Sequence, residues 1–248
     1  MEHEKPFQAG MKLLSGHLTI PAGTAALLWD MDGVLIDSLT FDQKLCGTLF
    51  STALGEPVTF APTLIRSLFA YDPQSFIAKL AEAVVVQRGT ALPPAQVQAI
   101  LADYEEKRRH AVFPLLPGLP ELLAHARALG LKQAVVSNNA TADITQILQA
   151  CGIAALFDGV IGNDLPVDGK VLRKKPEPDY YLHAAHLLGV APRDAVVFED
   201  SVIGCAAGIQ AGAHVVGLLT GGTTAEQLRV APLRPHQIYP DLTQARLT

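Results

Sequence analysis

Four short stretches of this chain are almost wholly apolar: Ala25 to Trp29, Gln133 to Val136, Ala195 to Phe198 and His214 to Leu219. Runs this short, without polar alternation, read as strands buried on both faces. Phe157 to Ile161 is a weaker example. The stretches between them carry helical periodicity. Pro120 to Leu129 places Leu122, Leu123, Ala126 and Leu129 on one face, with Gly130 as the stop. Thr141 to Ala150, Pro178 to Leu188 and Val202 to Ala211 each end at a glycine. Gly221 and Gly222 precede Thr223 and Thr224, a turn leading into a capped helix. Buried strands that alternate with helices predict an α/β fold: a Rossmann-like parallel sheet with helices on both faces.

One interval breaks the alternation. A crossover between parallel strands needs only about 30 residues, yet no strand-like pattern occurs from Ser38 to about Phe113. The interval reads as helical. Pro93 and Pro94 suit a helix start, and Val97, Ile100, Leu101 and Tyr104 form a stripe. Lys107, Arg108 and Arg109 near its end favour the helix dipole. The expected organisation is an N-terminal extension (1–23), an α/β core (24–38 and 114–248) and an inserted all-helical cap (39–113). Phe113 to Gly118 is the return linker.

The first apolar run ends in carboxylates: LLWDMDGVLIDS, residues 27–38. Asp30 and Asp32 alternate along the strand and so point the same way. Carboxylates this close raise each other's pKa unless a cation joins them. Ligands of open parallel sheets bind outside the carboxyl ends of the strands, where this pair sits. Magnesium takes hard oxygen ligands and tolerates carboxylates beside a substrate phosphate. One carboxylate can then attack and another can handle a proton. Other strand ends fit the same chemistry. Ser137 and Asn138 precede a helix and suit phosphate oxygens. Lys175 precedes a helix-starting proline and can balance developing negative charge. Glu199 and Asp200 add hard oxygen. Asp37 is read as stabilising the turn or capping the next helix, and Trp29 as core, facing away from the carboxylates. His183, His186 and Cys205 are read as ordinary helix residues. Lys170, Arg173 and Lys174, after the Asp168-Gly169 turn, are read as a solvated hairpin.

Composition bounds the function. Hydrophobic residues make up 49%, enough for a sizeable core. A formal net charge of −5 argues against a general nucleic-acid binder, although a bound cation would still admit an anionic substrate. Three widely spaced cysteines, Cys46, Cys151 and Cys205, form neither a disulfide framework nor a zinc pattern. A reduced, cytoplasmic compartment is expected. No stretch is long and apolar enough to span a membrane, and the first residues do not read as a signal peptide.

Four segments in order, DMDGVLIDS (30–38), VVSNN (135–139), KKPEPD (174–179) and FEDSVIGCAAG (198–208), resemble the haloacid dehalogenase superfamily. The similarity is to its helical-cap branch, the phosphatase and β-phosphoglucomutase-like group, over about residues 24 to 220. The resemblance implies that Asp30 is a nucleophile forming an aspartyl-phosphate. Asp32 would be the general acid and base, with its main-chain carbonyl at the metal. Ser137 and Asn138 would hold the phosphoryl group, Lys175 would neutralise charge, and Asp200 would complete a magnesium site with help from Glu199. The expected activity is a magnesium-dependent phosphomonoesterase acting on a small phosphorylated metabolite, as a monomer or small homo-oligomer. A sugar-phosphate mutase is the near alternative; a dehalogenase and a binding protein on a retired scaffold are more distant ones. Ten residues after the acid/base aspartate, the β-phosphoglucomutases carry a histidine; here Asp42 stands there, which predicts no cationic gate and repulsion of a phosphate. The Gly-x-Ser-Arg loop of their cap is also missing from residues 62–73, where Arg66 is the candidate anion contact.

Overall fold

The computed structural model describes residues 18–247, apart from 69, 70, 72, 90, 165, 168, 244 and 246. Most of the expected N-terminal extension, and Asp168 of the expected hairpin turn, lie outside the described residues. The apolar runs form a parallel sheet of six strands, in the order β3-β2-β1-β6-β7-β8. They are β1 (Ala26–Trp29), β2 (Lys132–Val136), β3 (Gly159–Ile161), β6 (Ala195–Glu199), β7 (His214–Leu218) and β8 (Gln237–Tyr239). Every residue of β1 is buried, as expected of a central strand. Pro166–Val167 (β4) and Lys170–Val171 (β5) pair as a separate antiparallel hairpin, where a hairpin was expected. β8 was not anticipated. Its sequence is three residues long, and it pairs along one side only, with β7.

Two apolar clusters lie on opposite faces of the sheet. Leu27, Trp29, Val135 and Phe198 share one with Leu119–Ala128 (α5) and Thr141–Ala150 (α6). Ala26, Leu28, Ala134, Val136 and Val197 share the other with Asp179–Leu187 (α7) and Val202–Gln210 (α8). Trp29 is fully buried, stacks on Phe198 at 4.1 Å between centroids and donates to Gln133 Oε1. It is the core residue the alternation implied.

The interval without strands is helical: α1 (Ser38–Leu54), α2 (Pro62–Leu68), α3 (Pro73–Arg88) and α4 (Pro94–Arg109). These helices bury a third cluster of their own, around Phe50, Ile65, Ile77, Leu80 and Ile100. Asp37 caps α1, accepting from the Thr40 amide at 3.1 Å. The chain leaving for the insertion and the chain returning run side by side: Ile36 bridges Leu115, and the Asp37 amide donates to Pro114. A capping box, Thr224 with Gln227, opens the last helix, α9 (Ala225–Val230). No described helix is long and apolar enough to cross a membrane.

The register positions the site. Trp29 pairs with Val135 on one side and Phe198 on the other. One residue further, Asp30 therefore stands level with the ends of β2 and β6. The chain order turns outward in both directions from this point, β1-β2-β3 one way and β6-β7-β8 the other. That is where a crevice opens in such sheets.

At the opposite end of the sheet, His214 and His236 stack at 4.4 Å. Nε2 of His214 is buried without a hydrogen-bond partner among the described residues. Burial, reinforced by the His236 ring, pulls His214 down to about 4. The unfolded chain thus takes this proton first. The stability contributed by neutral His214 is complete above its ordinary pKa and is lost as pH falls toward 4. Between about pH 7.5 and 5, the wild type should lose on the order of 1–2 kcal/mol more than His214→Phe. Urea melts of both proteins at both pH values check this. The comparison between proteins is needed because buried carboxylates titrate in the opposite sense.

Candidate active site

A cavity of about 630 Å³ lies between the carboxyl ends of the strands and the helical insertion. Asp30, Asp32, Ser137, Asn138, Lys175 and Asp200 all line it. Six residues expected from the sequence to share a site are therefore brought together. The seventh, Glu199, lies just beneath.

Lys175 is 7% exposed and ties the floor together. Its Nζ donates to Asp30 Oδ1 at 2.6 Å, to Glu199 Oε1 at 2.6 Å and to the Val136 carbonyl at 2.8 Å. An ammonium has three hydrogens, so these contacts use all of them. Burial pulls its pKa down, but the charges of Asp30 and Glu199 more than offset this and raise it. Lys175 is a fixed positive charge that orients Asp30.

Glu199 is 1% exposed. Its Oε1 also accepts from Tyr181 at 2.7 Å, and its Oε2 accepts from the Ser201 hydroxyl at 3.0 Å. Both oxygens already serve protein donors. Gly204 makes room for this carboxylate, since a Cβ there would overlap it. Asp200 is enclosed in a similar way. Its Oδ2 accepts from the Gly222 amide at 3.2 Å, a Cβ on Gly221 would collide with it, and a Cβ on Gly33, at φ +77°, would lie only 2.6 Å from it. Glycine is required at Gly33 on both counts, space and left-handed backbone.

Oxygens of Asp30, Glu199 and Asp200 lie within 4.8 Å of one another. Burial raises the Asp30 pKa well above the usual carboxylate range, against the pull of Lys175 and with the push of Glu199 and Asp200. Burial and the Glu199 charge raise Asp200 to about 7. Carboxylates crowded to this degree, with one lysine among them, have the donor chemistry of a hard-cation site. The residues fit magnesium.

Ser137 is 3% exposed, and its Oγ accepts from the Asn139 amide at 3.2 Å. Asn138 Oδ1 is buried without a partner among the described residues, while its carbonyl accepts from Asn163. Both sit in the loop between β2 and α6 and line the cavity.

Asp32 has partners the sequence reading missed. Its Oδ2 accepts from Asn139 Nδ2 at 2.7 Å, and its Oδ1 from Arg108 Nη2 at 2.5 Å. Arg108 also directs Nε at both oxygens of Asp42, 3.3 Å each. This corrects two expectations. Arg108, expected with Lys107 and Arg109 only to favour the dipole at the end of α4, also reaches two carboxylates, and Asp42 does not leave Asp32 without a cation. Asp42 is paired with the guanidinium that reaches Asp32, which offsets the repulsion expected of a lone carboxylate. The missed signal was spacing: Ile100, Tyr104 and Arg108 recur every four residues along the buried face of α4, whereas Lys107 and Arg109 do not.

The remaining expectations concern residues away from the cavity floor. Cys205 is buried in α8, and His186 is exposed on α7. Arg173 pairs with Glu177 and Asp179 at the surface. Arg66 and Lys174 line the cavity wall.

The chain is similar to known proteins. A haloacid dehalogenase-like hydrolase family model matches residues 24–212. A β-phosphoglucomutase of Mycobacterium bovis is 30% identical over 250 residues, 88% of this chain and 89% of that one. Hexitol phosphatase A of Escherichia coli is 30% identical over 196 residues, 77% of this chain and 81% of that one. The crystal structure of a HAD family hydrolase from Deinococcus radiodurans R1, with bound phosphate and sodium, superposes with a TM-score of 0.72. Its identity is 26%, covering 90% of this chain and 94% of that one. The matched segment runs through both halves of the α/β core, the helical insertion between them and every residue lining the cavity floor: the chain belongs to the haloacid dehalogenase-like hydrolase family.

Proposed function

We propose that the protein is a magnesium-dependent phosphomonoesterase that passes the phosphoryl group of a small metabolite to Asp30 and then to water. One observation carries this reading. A carboxylate held by a buried lysine, Asp30, faces the same cavity as a second carboxylate, Asp32, that Asn139 and Arg108 hold in place.

The roles follow from the contacts. Lys175 holds Asp30 Oδ1, which leaves Oδ2 to attack phosphorus. Ser137 and Asn138 receive the phosphoryl oxygens. Asp32 gives a proton to the departing ester oxygen. It then takes one from the water that attacks the aspartyl-phosphate, and Asp30 is regenerated. Glu199, occupied by Tyr181, Ser201 and Lys175, serves this reading as the anchor of Lys175 more than as a ligand. Magnesium bound by Asp30, Asp200 and the Asp32 main chain would neutralise phosphoryl charge. The helical insertion serves as a lid that limits entry to small phosphates.

Water is favoured over a sugar hydroxyl as acceptor because Arg108, the guanidinium nearest Asp32, is committed to two carboxylates. It is not offered to the second phosphate that a mutase must grip. The test supplies β-glucose 1-phosphate with a trace of glucose 1,6-bisphosphate, alongside a panel of small phosphates. Magnesium-dependent release of inorganic phosphate, silenced by chelator, is expected. Glucose 6-phosphate appearing well ahead of free phosphate would assign the protein to the mutases instead.

A further inference from the structure

Asp42 and Arg108 make an unusual pair for a helical insertion. Asp42 is 2% exposed and sits in the apolar cluster of α1, beside Cys46 and Tyr104. A buried carboxylate without a partner is costly, and Arg108 supplies the partner. Burial still raises Asp42, to about 6, against the pull of Arg108. An apolar pair of similar volume would serve stability at least as well as this ion pair. Stability therefore does not account for it. Nor does it account for Arg108 reaching beyond Asp42 to a carboxylate of the core.

The guanidinium geometry suggests what does. Nε faces Asp42 and Nη2 faces Asp32, so one rigid plane joins a residue of the insertion to one of the floor. A lysine ammonium on its flexible stem would not fix such a direction. On the core side, Asn139 fixes only Oδ2 of Asp32. Arg108 fixes the other oxygen, and with both held the carboxylate has one orientation. A separate contact between insertion and core, Arg109 with Asp143 at 3.9 Å, is half-exposed and touches no residue of the floor.

We infer that Arg108, aimed by Asp42, is a positioning residue that orients Asp32 when the insertion closes over the core. The pair thereby couples closure to the proton-handling step. The inference rests on the reading of Asp32 as general acid and base. Its signature is a loss in kcat rather than in substrate binding, because Arg108 acts through Asp32.

The experiment compares variants with the wild type in magnesium, with p-nitrophenyl phosphate as probe and a thermal melt on each protein. Arg108→Met combined with Asp42→Leu removes both charges of the buried pair together, which leaves the part-exposed Asp32 on Asn139 alone and keeps the fold testable. It should melt at or above the wild type, yet lose about 10- to 100-fold in kcat with KM within about threefold, as expected for a misplaced catalytic group. Asp42→Asn alone, which keeps Arg108 but loosens its aim, should lose about three- to tenfold. Arg109→Ala should stay within about twofold. A double variant that folds and turns over at the wild-type rate would overturn the proposal. So would a change confined to KM, which would make Arg108 a substrate contact. Wild-type turnover itself decides the phosphatase reading, and the ratio of variant to wild type decides this one.

Discussion

Asp30→Asn abolishes turnover while leaving the protein folded. The substitution keeps the side-chain volume and removes the charge. Burial, Glu199 and Asp200 all push the Asp30 carboxyl upward, so a neutral amide relieves crowding, and Lys175 keeps its bonds to Glu199 and Val136. The melting temperature in the absence of metal should therefore match or exceed that of the wild type. The amide, however, cannot form the acyl phosphate. Loss of a covalent nucleophile removes about 10⁴-fold or more in kcat. Phosphate release from the best substrate of a panel measures this directly. A variant that keeps a tenth of the wild-type rate would rule Asp30 out as the attacking group.

Lys175→Met lowers kcat by about 10²- to 10³-fold, the range for losing one preorganised electrostatic contact. The cause is particular to this lysine. With all three of its hydrogens committed to Asp30, Glu199 and Val136, it both orients the nucleophile and balances two buried carboxylates. Removing one partner of a buried ion cluster also destabilises the fold, by about 3–5 kcal/mol, so the rate is measured well below the melting temperature. Lys174, its exposed neighbour on the cavity wall, is the control. Lys174→Met should stay within about threefold of the wild type. A larger loss at Lys174 than at Lys175 would show that charge at the rim, rather than at the floor, supports the reaction.

The part of this molecule written most plainly in its sequence is the floor of the site. A strand buried on both faces must be apolar along its length, so polar residues at its end stand out. Asp30, Asp32, Ser137, Asn138 and Asp200 are all found that way. Their convergence follows from the sheet order alone, since β1 lies between β2 and β6. Lys175 adds a lysine just ahead of a helix-starting proline. The site wall was harder to read. Arg108 looks like a helix-end charge, and its two carboxylates come from different layers, one 66 and the other 76 residues away. Only its place on the Tyr104 face of α4 hints at burial. β8 was illegible for another reason: Gln237–Tyr239 is an edge strand with one neighbour, and carries no apolar run. Nor could sequence separate Glu199 from Asp200. They are adjacent at one strand end, yet one turns beneath the floor to Lys175 and Tyr181, and the other faces the cavity.

The central claim is that phosphate passes through Asp30. Acid quench during steady turnover with a good substrate and magnesium, followed by peptide mass spectrometry, reads this most directly. The account predicts one phosphoryl group on the peptide containing Asp30, labile to hydroxylamine, and none on the corresponding Asp30→Asn peptide. A phosphoryl group found on another residue, or full turnover with no phosphorylated peptide even after the rapid mixing of enzyme in excess over substrate, would contradict it.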